Sequence, residues 1–192
     1  LDDMEQQDIN DSFGLAFLNE QPEDVVIGKL KRCCHSNTWA RLVLSSRPFE
    51  SKDDLLEKMD LFWGLGASAY CGPQDWLEAF AAHPKIGDQK AVEKKEAHHS
   101  GFESEEQKGA EGASDDVKSS LAEWNEKYFE KFGFIFLICA TGKSAAEMLQ
   151  ALQDRYSNDA DKEIRVAAGE QQKITHLRIL RLLGELSSQA RL

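Results

Sequence analysis

Trp76-Leu77-Glu78-Ala79-Phe80-Ala81-Ala82-His83-Pro84 is the stretch on which the reading of this chain turns. In a helix, Trp76, Phe80 and His83 fall on one face at i, i+4 and i+7. Pro84 disfavours the α conformation for the residue before it, so the helix should end at or just before His83. An imidazole is thereby carried to the C-terminal rim of a buried helix. The macrodipole there favours the protonated ring by ~0.3–1 kcal/mol, which suits a proton donor working near neutrality. A histidine before a proline also serves as a plain C-terminal cap, and spacing alone leaves both readings open.

Working outward, the same helical punctuation recurs. Pro22 with Glu23 and Asp24 opens a helix carrying Val25, Val26 and Leu30. Ser36 caps one with Trp39, Leu42 and Val43, and Ser51 caps another with Leu55, Leu56, Met59, Phe62 and Trp63. Arg47-Pro48-Phe49 separates those two, and Gly72-Pro73 restarts the chain into the His83 helix. Downstream, Asp115 or Asp116 caps a helix with Val117, Leu121, Trp124 and Tyr128, ended by Gly133. Ser144 caps the helix of Met148, Leu149, Leu152 and Tyr156, and a last helix runs from about Asp161 to Leu186. Alternation typical of strands is nearly absent. The expected fold is all-α, a single compact multi-helix domain over residues 21–188, preceded by a mobile acidic segment at residues 1–20.

The 192 residues suffice for one domain burying ~70% of its unfolded surface. A net charge of −11 argues against a nucleic-acid or anionic-membrane surface, though a few local cations can still dominate a pocket for an anionic small molecule. The longest apolar run, residues 132–140, is too short to span a bilayer. Cys33, Cys34, Cys71 and Cys139 have neither disulfide-framework nor zinc spacing, and a reducing intracellular compartment is expected. Ala190-Arg191-Leu192 loosely resembles a peroxisomal C-terminal tripeptide, which makes the peroxisome the expected location and the cytoplasm the alternative.

Several stretches carry candidate chemistry. His98 and His99 are adjacent, which makes them poor co-ligands, and they read as part of a solvated loop. Ser104 with Gln107 three residues on is a capping box, and the helix start it implies offers N–H groups and the Glu106 carboxylate. Residues 134–140 are apolar on all sides and too short for a typical helix, so they read as a buried extended segment. Backbone N–H groups there that secondary structure does not use must find another partner, and a ligand is one candidate. Thr141-Gly142-Lys143-Ser144 imitates the end of a phosphate loop, but the first glycine would fall at Leu137, so the motif fails. In the last helix Ile164, Ala167, Gln171, Ile174 and Arg178 share a face, while Arg178 also borders a polar stripe. The wheel leaves open whether that guanidinium is a buried anion clamp or solvated.

Together these pieces resemble the 2-oxo-4-hydroxy-4-carboxy-5-ureidoimidazoline (OHCU) decarboxylases of urate breakdown, which yield (S)-allantoin. The resemblance runs from Arg47-Pro48-Phe49 through the last helix. It is carried by His83-Pro84-Lys85-Ile86-Gly87, Glu106-Gln107, the Phe132-Gly133-Phe134 to Ile138-Cys139-Ala140 run, and Lys173-Ile174-Thr175-His176-Leu177-Arg178. Ile86-Gly87 and Glu123-Trp124-Asn125 look most like the plant branch. The resemblance implies His83 as acid/base, Glu106 and Arg178 as further catalytic groups, and Pro84 shaping the pocket. Gln107 would bind substrate, and backbone groups of Phe136, Ile138 and Ala140 would line the site. The family places a serine three residues before the glutamate; here that position is Glu103, so Ser104 is either shifted into the site or its contact is lost. A homodimer, no cofactor and no metal are also implied. The rival readings are a non-enzymatic helical interaction domain and, more remotely, a metal hydrolase using His83, His98 and His99.

Overall fold

The computed structural model describes residues 3–66, 70–86 and 113–189, with side chains from Asp11 onward. Its helices are α1 (Asp3–Glu20), α2 (Glu23–Cys33), α3 (Asn37–Ser45), α4 (Lys52–Trp63), α5 (Pro73–Ala81), α6 (Asp115–Phe132), α7 (Ala145–Tyr156) and α8 (Ala160–Gln189). Among the described residues there is no strand, as the sequence led us to expect, and no helix long and apolar enough to cross a membrane. The chain groups into two compact units, one from Leu1–Asp75 with Gln172–Leu192, the other from Trp76–Gln171.

In the first unit the predicted caps are in place. Ser36 Oγ accepts from the Trp39 N–H at 3.2 Å, and Ser51 Oγ from the Asp54 N–H at 3.0 Å. Each satisfies an amide that the first helical turn leaves open, a contribution of ~1 kcal/mol. Trp39 Nε1 then donates to the Met59 carbonyl at 3.2 Å, tying α3 to α4 through a buried indole. Gly64 ends α4 at φ +78°, and a Cβ there would lie 2.4 Å from the Cys71 carbonyl oxygen. Only glycine fits that close approach. All four cysteines are buried and none is in a disulfide.

The mobile N-terminal segment expected at residues 1–20 is instead α1 over its described part. Leu15 and Leu18 are buried, each worth ~1.5–3 kcal/mol against exposure. A Cβ on Gly14 would meet the Leu183 backbone at 2.9 Å, so α1 lies close against α8 within this unit. Asn19 exchanges two hydrogen bonds with the Phe49 backbone, at 2.9 and 2.8 Å. Arg47 Nη1 reaches the carbonyls of Leu18 at 3.3 Å and Gln21 at 3.0 Å. The helix end is thus fastened by residues about thirty positions away, which its own polar composition conceals.

The second unit is built on α5 from Trp76, α6, α7 and α8 up to Gln171. Ser114, not Asp115 or Asp116, caps α6, with its Oγ accepting from the Val117 N–H at 3.4 Å. Both aspartates then stand in the first turn, where the macrodipole favours them. Gly133 at φ +76° closes α6, and its N–H returns to the Phe129 carbonyl at 2.8 Å. Residues 134–140 follow without helix or strand and are buried apart from Ile135, as the apolar run led us to expect of its burial. Tyr128 is surrounded by the rings of Phe132, Phe134 and Phe136 at centroid distances of 4.6, 5.8 and 5.4 Å. Ser144 opens α7 with a full capping box to Glu147, whose carboxyl the Ser144 N–H and hydroxyl hold below the usual range.

Candidate active site

The imidazole stands where the sequence predicts. Helix α5 ends at Ala81 and its last turn tightens, with Ala82 N–H donating to Ala79 and His83 N–H to Phe80, at 3.3 and 3.0 Å. Trp76, Phe80 and His83 are all buried, so the face inferred from their spacing is the inward one. The His83 Nε2 lies 2.8 Å from Oε1 of Gln171, which is itself fully buried on α8. Beyond buried Pro84, Lys85 pairs with Glu126 of α6 and sits 5.4 Å from the Phe129 ring centroid. Asn125 Nδ2 donates to the Ile86 carbonyl at 3.3 Å. Residues 83–86 are therefore fastened to α6 on one side and to α8 on the other.

Residues 134–140 form a second wall of this unit, joined to α5 by the Phe80–Phe134 ring pair at 5.5 Å. In an extended run the backbone groups of alternate residues face opposite ways. The groups of Leu137 and Cys139 are engaged by side chains. Arg155 Nη1 donates to the Leu137 carbonyl at 2.8 Å, and Lys143 Nζ to the Cys139 carbonyl at 3.0 Å. The Cys139 N–H donates to Glu170 Oε2 at 2.8 Å. Among the described residues the N–H groups of Phe136, Ile138 and Ala140 make no hydrogen bond. Three buried donors left open within five residues make a main-chain surface suited to an anionic or carbonyl oxygen.

Behind that wall lies a buried polar cluster. Glu163, fully buried, accepts from Arg155 Nε at 2.8 Å, from Asn158 Nδ2 at 2.7 Å and from the Tyr128 hydroxyl. The Arg155 guanidinium also covers the Phe136 ring at 4.6 Å. Burial, reinforced by the hydrogen bond to Glu163, pushes the Tyr128 phenol far above its ordinary range. Among the described residues no group of three or more His, Cys, Asp or Glu is placed to hold a metal ion.

Arg178 belongs to the first unit and is fully buried, so its guanidinium is not the solvated one the helical wheel allowed. Burial pushes the nearby Cys33 thiol up to about 12, with the Arg178 and Arg32 charges opposing. Ser104, Glu106 and Gln107 lie outside the described residues, as do Glu103, Gly87, His98, His99 and Ala190-Arg191-Leu192. The structure thus brings His83 and Pro84 together with a partner that motif reading overlooked, Gln171. Its signal was present as the one polar member between Ala167 and Ile174 on the inward face. Glu170, Arg155 and Glu163 carried no local signal, because what they hold is distant in sequence.

A family model described as OHCU decarboxylase matches residues 19–180. The chain is 38% identical over 155 residues to the uric acid degradation bifunctional protein TTL of Arabidopsis thaliana, covering 81% of this chain and 46% of that protein. It therefore spans about half the length of that relative. It is 31% identical over 152 residues to the 2-oxo-4-hydroxy-4-carboxy-5-ureidoimidazoline decarboxylase of Mus musculus, covering 79% of this chain and 82% of that one. Among solved structures it resembles a crystal structure of OHCU decarboxylase in the presence of (S)-allantoin, with a TM-score of 0.68 at 36% identity. That match covers 85% of this chain and 99% of the other. With the family model spanning most of its length, this chain belongs to the OHCU decarboxylase family.

Proposed function

We propose that this chain decarboxylates OHCU to (S)-allantoin, with His83 as the acid/base. The observation that carries the reading is the buried His83 imidazole, fixed by Gln171 at the end of α5 in a chain of this family. Breaking the bond to the carboxylate releases CO2 and leaves an electron pair on a ring carbon, which spreads into the adjacent unsaturated ring. The N–H groups of Phe136, Ile138 and Ala140 are preorganised donors for the oxygen on which that charge collects. A proton must then reach the carbon from one face only, and a fixed imidazole can deliver it and set the S configuration. Glu106 and Gln107 are proposed to hydrogen-bond the substrate, Arg178 to bind its anionic or ureido part, and Pro84 to shape the pocket beside His83. Ser104 is assigned to capping before catalysis, and a second copy of the chain is proposed as partner in a homodimer, checked by sedimentation.

The test generates the unstable substrate in situ from urate and follows (S)-allantoin by circular dichroism. The purified chain should accelerate its appearance without added cofactor or metal. His83→Asn should stay folded and lose at least ~100-fold in rate, the scale of positioned acid/base catalysis. Racemic product at the spontaneous rate from folded wild-type protein would overturn the assignment.

A further inference from the structure

Gln171 is fully buried although it is polar and uncharged. Burying an amide without hydrogen bonds costs ~1–3 kcal/mol, so its place in this core calls for a partner that makes use of it. That partner is 88 positions away in sequence: its Oε1 lies 2.8 Å from His83 Nε2. An amide oxygen only accepts, so the imidazole hydrogen in this contact sits on Nε2, and the lone pair of the neutral ring is left on Nδ1. A carboxylate in the same place would fix the same tautomer but would also raise the proton affinity of the ring. An amide fixes it without adding charge.

The neighbouring residue completes the argument. Glu170 accepts the Cys139 N–H, and successive helical residues diverge by about 100°. One turn of α8 thus orients the imidazole with Gln171 and the main-chain wall with Glu170. From the other side, Asn125 holds the loop that carries His83 through the Ile86 carbonyl. Restraint on this part of the chain therefore comes from two helices, and Gln171 engages a ring nitrogen directly.

We propose that Gln171 is a positioning residue for the reaction: it fixes the Nε2–H tautomer and the ring plane of His83. This rests on the decarboxylase reading above, and the experiment separates the two. Wild-type, Gln171→Leu and Gln171→Glu proteins, labelled at histidine side-chain nitrogens, are examined by NMR, with the His83 signals assigned by their loss in His83→Asn. The same preparations are assayed for turnover. Wild-type protein is expected to show His83 as the Nε2–H tautomer. Gln171→Leu should populate both tautomers and lose about ten- to a hundredfold in kcat, the usual cost of removing the group that orients a functional histidine, with KM changed less than about threefold. Gln171→Glu keeps shape and acceptor and should retain the Nε2–H tautomer, which secures the test if the leucine variant does not fold. A wild-type Nδ1–H tautomer overturns the inference, as does a leucine variant with unchanged tautomer and kcat within about twofold, or a glutamate variant that loses the tautomer. Wild-type protein with the expected tautomer but no turnover overturns the decarboxylase reading instead.

Discussion

Replacing Arg155 by methionine offers the sharpest measure of the cluster behind the 136–140 segment. The guanidinium donates from Nε to Glu163 at 2.8 Å, lies 2.6 Å from the same oxygen through Nη2, and holds the Leu137 carbonyl at 2.8 Å. The Glu163 side chain is 0% exposed and that of Arg155 12%, so the pair is not screened as a surface bridge is. Removing one member of a buried pair costs ~3–5 kcal/mol, because it leaves an uncompensated charge. Here Glu163 keeps Asn158 and Tyr128 as donors, which places the loss toward the lower end of that range. The Leu137 carbonyl also loses its donor, adding on the order of 1 kcal/mol. Arg155→Met should therefore destabilise by about 3–4 kcal/mol, or roughly 10 °C in Tm for a chain of this size. Urea unfolding followed by far-ultraviolet circular dichroism gives the number. Arg155→Met combined with Glu163→Leu leaves neither charge stranded, so the double variant should be at least ~2 kcal/mol more stable than additivity predicts. A single variant costing under ~1 kcal/mol, or strict additivity, would refute the claim that this pair is electrostatically coupled.

Other outcomes follow from local geometry. Gly64→Ala should cost more than the ~1–2 kcal/mol of a left-handed backbone, since its methyl would lie 2.4 Å from the Cys71 carbonyl oxygen; thermal melting checks this. Tyr128 has a folded-state pKa raised above its unfolded value. Its stabilising contribution is thus complete below the unfolded value near 10 and is lost as pH climbs beyond it. In an alkaline absorbance titration one phenol should ionise only as the protein unfolds, and Tyr128→Phe should remove that late step. Glu106→Ala should lose turnover heavily, while Ser104→Ala should lose about 1 kcal/mol of stability and little activity; turnover abolished in Ser104→Ala with unchanged melting would place that serine in the site.

What could be read from the sequence was what neighbours in sequence determine. Ser36, Ser51 and Ser144 announce helix starts because a cap acts three residues ahead. His83-Pro84 announces a helix end because proline acts on the residue before it. The cap of α6 slipped by one because Ser114, Asp115 and Asp116 all suit that role, and only the backbone chooses among them. Helix α1 escaped notice because its anchors, Asn19 to Phe49 and Gly14 to Leu183, are long-range and leave little apolar periodicity. The same holds at the site. His83 was visible in its own helix, whereas Gln171, Glu170 and the Arg155–Glu163 pair acquire meaning only from what folding places opposite them.

The wall formed by residues 134–140 has an experimental consequence. Its unused donors are main-chain amides, so conventional side-chain scanning leaves every one of them in place. Alanine at Phe136 or Ile138 removes packing and reports on stability, while the N–H groups persist. Only chemistry on the polypeptide itself can delete them, such as an amide-to-ester replacement that exchanges one N–H for an oxygen with the side chain untouched. For the same reason, sequence drift along this run is restrained by the shape of the core, and the donors themselves are inherited with any residue other than proline.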